Sequence, residues 1–201
     1  MKTTRLEAFS DGVIAVIITV MVLELHVPVE NGWPGLWQVA PRVGLYALSF
    51  AMTGVYWINH HEILRRTESA NYRVLWANLF FLFTLSLIPF FTDYVGDKHF
   101  DSFSTALYAF IMLLAGQGFL VLRLSLDKVR RRNGEVLPKT NQLETTKHIA
   151  SLLLYVAAIP MAYYKPVVSL CMNVLVTLLW IVPELGLHKT EACVAERTGE
   201  R

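Results

Sequence analysis

Residues 4–26 read TRLEAFSDGVIAVIITVMVLELH, and the fold class turns on this stretch. Thr4 and Glu7 stand at the spacing of a capping box, in which a hydroxyl and a carboxylate each satisfy one orphan amide, so a helix is expected from about Arg5. From Val13 to Leu23 only Thr19 interrupts an apolar run. At about 1.5 Å per residue, roughly 22 residues span the hydrocarbon core of a bilayer. The composition agrees: 54% of the 201 residues are hydrophobic and 17% are charged, a balance that soluble domains rarely reach. A secretory leader is not expected, because Glu7 and Asp11 would fall in its basic region and no small-x-small cleavage site follows.

At about 100° per residue, Phe9, Gly12, Val16, Thr19, Val20, Leu23 and Val27 share one stripe, with Ser10 and Asp11 well off it. A stripe of this composition suits lipid equally well. Asp11 argues for a more specific arrangement. A carboxylate about two turns inside a membrane helix is costly in lipid, so the side bearing Ser10 and Asp11 should pack within the subunit. The opposite stripe then faces lipid, another subunit or a pore.

Outward from this helix, Pro28, Asn31-Gly32 and Pro34-Gly35 mark a short connection. A second apolar segment runs from about Trp37 to Leu64 and ends in the polar run Tyr56-Trp57-Ile58-Asn59-His60-His61-Glu62. A third, Val74 to Thr92, contains Asn78 and Pro89, and the proline is expected to kink or end it. An acidic loop, Asp93 to Asp101, leads to a fourth segment, Phe103 to Leu122, where Gly116 and Gly118 permit close helix approach. Residues 123–147 read as a polar loop. A fifth segment, His148 to Tyr164, and a sixth, Val167 to Leu187, are separated only by Lys165-Pro166, a hairpin signal. The expectation is an all-α membrane protein with six spans over residues 1–187 and a charged tail over 188–201.

Fifteen Lys and Arg residues fall on the side of the termini and of the loops after segments two and four, against Arg42, Lys98 and Lys165 on the other. Both termini are therefore expected in the cytoplasm of a multi-pass cell-membrane protein. The outer side, with Glu30, Asp93, Asp97 and Asp101, would concentrate cations modestly. Cys171, in an apolar run, and Cys193, in the tail, suggest neither a disulfide framework nor a metal site. No cofactor and no nucleic-acid partner are expected.

Trp57 lies three residues before His60 and four before His61, so an indole and an imidazole share a face near the cytoplasmic end of the second helix. Arg5 and Asp11 sit at the same depth. Asp11 needs a donor there, and Arg5, His60 or the Trp57 indole could each supply one. Arg5, Ser10, Asp11, Trp57, His60 and Asn78 are accordingly expected to form one buried polar network. A metal or haem site on His60, His61 and Glu62 is the sharper alternative, weakened because adjacent histidines diverge by about 100° on a helix.

Arg5 with Phe9-Ser10-Asp11 and Thr19, then Trp57-x-x-His60-His61 with Leu64-Arg65, then Leu75-Trp76-Ala77-Asn78-Leu79 running into Pro89-Phe90-x-Thr92, resemble the first three helices of the transmembrane protein 175 family. The last three helices are similar only in number and length. Because Phe-Ser-Asp occurs once, the resemblance is to the single-repeat prokaryotic branch. It implies a homotetrameric, potassium-permeable channel in the bilayer, with four copies of helix one around a central pore and no carbonyl-lined filter. By position, Val16 corresponds to a hydrophobic constriction, Thr19 to a hydroxyl layer tied to selectivity and Leu23 to a further apolar ring, with Val20 on the same stripe. No Thr-Val-Gly-Tyr-Gly loop and no ladder of arginines is present. The alternatives are a proton-permeable channel, a secondary transporter, which would want a repeat or a charge at mid-depth, and an intramembrane enzyme, which lacks a nucleophile with an oriented base.

Overall fold

The computed structural model describes residues 3–67, 70–135 and 140–181, without side chains at 140–143. The end of the sixth apolar segment and the tail from 188 lie outside these residues. Among the described residues seven helices follow in order: α1 (Thr3–Leu23), α2 (Trp33–Arg65), α3 (Tyr72–Ser86), α4 (Ile88–Asp97), α5 (Ser102–Arg132), α6 (Thr140–Tyr164) and α7 (Pro166–Ile181). Among the described residues there is no strand. α3 and α4 are two halves of one 26-residue rod, which leaves six helical rods among the described residues. By length and apolar composition alone, α1, the α3–α4 rod and α5 qualify as membrane-crossing. α2 and α6 carry more polar residues, and the described part of α7 is shorter.

The break between α3 and α4 falls at Leu87, and Pro89 occupies the first turn of α4. A proline has no amide to donate and its ring crowds the preceding turn, so the rod parts just upstream of it. Proline has the same starting role at α2, where Pro34 stands in the first turn. Pro34-Gly35 is thus helix rather than connection, which corrects the sequence reading. Gly35 is required there for a separate reason: a Cβ would lie 2.0 Å from the carbonyl oxygen of Glu30.

Other boundaries also moved. α1 ends at Leu23, so Val27 lies outside its stripe. Asp93 and Asp97 belong to the last turns of α4 rather than to a loop, and Asp97 pairs with Arg42 of α2 at 3.0 Å. The reversal after α4 uses positive φ at His99 (52°) and Phe100 (59°). Asp101 then caps α5, accepting the amide of Ser104 at 2.8 Å. Hydrogen bonding from the Ser104 hydroxyl, and after it from the Ser104 amide, holds the Asp101 carboxyl below the usual carboxylate range. Residues 123–147 are mostly helix, not loop. α5 continues to Arg132 and α6 starts at Thr140, because Leu, Lys, Arg and Gln favour helix in water without an apolar run.

The two extensions are fastened together. The nearly buried Arg123 of α5 pairs with Glu144 of α6 at 3.2 Å, and Arg66, at the end of α2, joins the same carboxylate at 3.6 Å. Deeper in, Gly118 abuts α3, where a Cβ would meet Thr84 Oγ1 at 2.9 Å and Phe81 Cα at 3.1 Å. Gly116 faces Leu152 of α6 and Tyr56 of α2. The core centres on Tyr56, Phe81 and Phe119, whose rings pack at 5.5–5.8 Å between centroids. α6 and α7 form the expected hairpin: the Trp180 indole donates to Ser151 Oγ at 3.0 Å across the turn at Lys165.

Candidate functional site

α1 has two unlike faces. Thr3, Leu6, Ser10, Ile14, Ile17 and Met21 recur every three or four residues and are buried against the subunit. Phe9, Gly12, Val16, Thr19 and Leu23 lie on the other side and are exposed, Val16 at 60% and Leu23 at 79%, with Val20 half-buried at the margin. Of the helix window that could cross a membrane, 28% of α1 is buried, against 50% for the α3–α4 rod and 61% for α5. The helix is therefore held along one face only. On the bare face the Thr19 hydroxyl donates to the Val16 carbonyl at 2.9 Å.

The holding side contains a directed hydrogen-bond chain. His60 of α2 donates from Nε2 to Asn78 Oδ1 of α3 at 2.8 Å, since the amide oxygen can only accept. Asn78 Nδ2 donates to Ser10 Oγ at 2.9 Å, and Ser10 closes the chain on the Leu6 carbonyl at 2.8 Å. All three side chains are fully buried. His60 also stacks on Phe81, with ring centroids 5.6 Å apart. Three helices are thus joined through groups that would each be costly to leave unpaired.

The expected single network divides into two. Asp11 is only half-buried and accepts from the Trp57 indole at 2.9 Å, on the outer flank of the α1–α2 contact. Of the three candidate donors, then, the indole serves Asp11. Arg5 is exposed and, among the described residues, takes part in neither set. The reason is angular: Ser10 and Asp11 are successive residues and diverge by about 100°, so one turns into the core and the other to its edge. His60 and His61 diverge likewise, and His61 Nδ1 lies 2.6 Å from Glu7 Oε1. Glu7 therefore reaches across to α2 instead of back to Thr4. Capping-box spacing hides this pair, and the position of Glu7 one turn before Asp11 is its signal in the sequence.

A second buried chain had no signal in the sequence motifs. Tyr108 of α5 donates to Ser49 of α2 at 2.9 Å, Ser49 to Thr92 of α4 at 2.8 Å, and Thr92 to the Ile88 carbonyl at 2.8 Å. It joins α2, α4 and α5 as the Ser10 chain joins α1, α2 and α3.

These features define an all-helical membrane protein whose first helix is fixed on one side and left bare on the other. A family model described as "Endosomal/lysosomal potassium channel TMEM175" matches residues 5–89, the stretch that contains α1, α2, α3 and the start of α4. A potassium channel of Chryseobacterium sp. strain P1-3 is 35% identical over 190 residues, 94% of this chain and 98% of that protein. A potassium channel of Streptomyces collinus is 30% identical over 129 residues, covering 60% and 63% of the two chains. The crystal structure of a lysosomal potassium-selective channel TMEM175 homolog from Chamaesiphon minutus shares the fold, with a TM-score of 0.74 at 23% identity over 90% of this chain and 97% of that one. The chain belongs to the TMEM175 family.

Proposed function

We propose that this chain is the subunit of a potassium-permeable channel, a cyclic homotetramer whose central pore is lined by four copies of α1. The naming of its relatives as potassium channels supports the ion, and membership in a family of channels argues against an enzyme. The observation that carries the pore assignment is the bare stripe of Phe9, Gly12, Val16, Thr19 and Leu23 on a helix bolted down along its opposite side. One stripe cannot enclose a path, and rotational symmetry supplies the remaining walls.

In this arrangement Val16 and Leu23 form apolar rings that oppose hydrated ions by dewetting, with Val20 at their margin, and Thr19 forms a hydroxyl layer between them. No carbonyl-lined filter takes part. The Lys and Arg asymmetry supports a multi-pass cell-membrane protein with both termini in the cytoplasm. On the outer side Arg42 neutralises Asp97, while Glu30, Asp93 and Asp101 enter no ion pair among the described residues and are left to concentrate cations modestly.

The test is the reversal potential of purified protein in planar bilayers under a potassium-to-sodium gradient. Val16→Asn wets the barrier and should increase potassium current while weakening discrimination against sodium. Thr19→Val keeps shape, removes the hydroxyl layer and should lower potassium preference in an open pore. Leu153→Asn, at an exposed position of α6, should behave like the parent. Parent-like reversal potentials for both α1 variants would mean that α1 does not line the pore.

A further inference from the structure

Cations at the α5–α6 end of the bundle fall into two groups. Arg66 pairs with Glu62 and Glu144, Arg123 with Glu144, and Arg130 with Glu135. Arg73, in the first turn of α3, and Lys128 and Arg132, in the last turns of α5, have no carboxylate partner among the described residues. These three line one recess of about 290 Å³ together with Ser125, Val121 and Leu124. Among the described residues no acidic side chain borders it. The start of α3 adds the positive end of a helix dipole to the same place.

The recess is layered along α5. From Val121 to Arg132 the helix rises about 16 Å. Its lower end is apolar and open, with Val121 43% and Leu124 56% exposed, and its upper end is cationic. A bilayer shows the same order, with roughly 5 to 8 Å of headgroup region above each side of its hydrocarbon core. Basic recesses between membrane helices suit anionic headgroups. A free phosphate would use the upper end and leave the apolar wall unexplained.

We propose that this recess binds the phosphate of an anionic glycerophospholipid through Arg73, Lys128 and Arg132, with the first methylenes of its chains against Val121 and Leu124. Binding is sequence-encoded by this face of α3 and α5 and is separate from conduction along α1.

Native mass spectrometry in mild detergent, with equal phosphatidylglycerol and phosphatidylcholine added, reads the preference directly. The parent should retain phosphatidylglycerol selectively. Each cation is worth about fivefold, so the triple variant Arg73→Ala, Lys128→Ala, Arg132→Ala should lose about a hundredfold of that preference. Lys128→Glu alone should abolish most of it and serves as the test if the triple variant folds poorly. Arg131→Ala, an exposed neighbour on α5, should leave the preference intact. Equal retention of both lipids by the parent, an unchanged preference in Lys128→Glu, or a loss as large in Arg131→Ala would overturn the proposal. Displacement of phosphatidylglycerol by millimolar inorganic phosphate would place a free anion there and overturn the lipid assignment.

Discussion

Asn78→Ala cuts the chain that fixes α1 at its middle. The change removes the 2.8 Å bond from His60 and the 2.9 Å bond to Ser10. His60 is fully buried, and stranding its Nε2–H costs about 1 to 3 kcal/mol. Ser10 keeps its own bond to the Leu6 carbonyl, so it forfeits only an incoming donor, about 0.5 to 1.5 kcal/mol. Measured hydrogen bonds between membrane helices sit lower, near 0.6 and at most about 1.7 kcal/mol, because the unfolded helices find other partners in the bilayer. The two scales bracket a total loss of about 1 to 4.5 kcal/mol. A double-mutant cycle with His60→Ala separates the bond from the ring's stacking on Phe81, and the coupling should be about 0.6 to 1.7 kcal/mol. The assay is unfolding in mixed micelles with graded SDS, followed by helical circular dichroism, alongside the tetramer fraction by gel filtration. If Asn78→Ala matched the parent, or if the two single effects simply added, the chain would be a coincidence of packing.

Gly118→Ala sets a Cβ 3.1 Å from the α3 backbone and should lower stability by about 1 to 3 kcal/mol in the same unfolding assay, whereas Gly12→Ala meets no atom within 4 Å in its own subunit and should unfold like the parent. Asp11→Ala removes the bond made by the Trp57 indole and should reduce the tetramer fraction on gel filtration more than Arg5→Ala, which loses no partner among the described residues; the reverse order would count against this reading of the site. His61→Ala breaks a half-exposed pair with Glu7 and should cost no more than about 1 kcal/mol by SDS unfolding.

The helices were legible where the sequence alternates between apolar run and turn, because lipid and water impose the two compositions separately. The stripe on α1, the break near Pro89 and the hairpin at Lys165-Pro166 follow from such local rules. Residues 123–147 are polar without being loop, since a helix leaving the bilayer keeps its backbone bonds and needs only residues that tolerate water. Within the site, Ser10, His60 and Asn78 were recognisable as groups requiring partners, while the division between the buried chain and the Asp11–Trp57 contact was not. That division depends on rotations of about 100° between neighbours on facing helices, and motif spacing records depth better than azimuth. The Tyr108–Ser49–Thr92 chain was out of reach altogether, since hydroxyl residues inside apolar helices bond their own backbone as readily as a neighbour.

The Thr19 bond has a consequence of sign. A hydroxyl has one proton, and here it is committed to the Val16 carbonyl of the same helix. What remains to turn outward is oxygen with its lone pairs and no hydrogen. Four such groups around an axis would make a girdle that can receive a positive charge or the proton of a water molecule, but has nothing to offer a chloride. Rejection of anions would then come from the orientation of a neutral group, imposed by the helix that bears it, with no acidic side chain at that level.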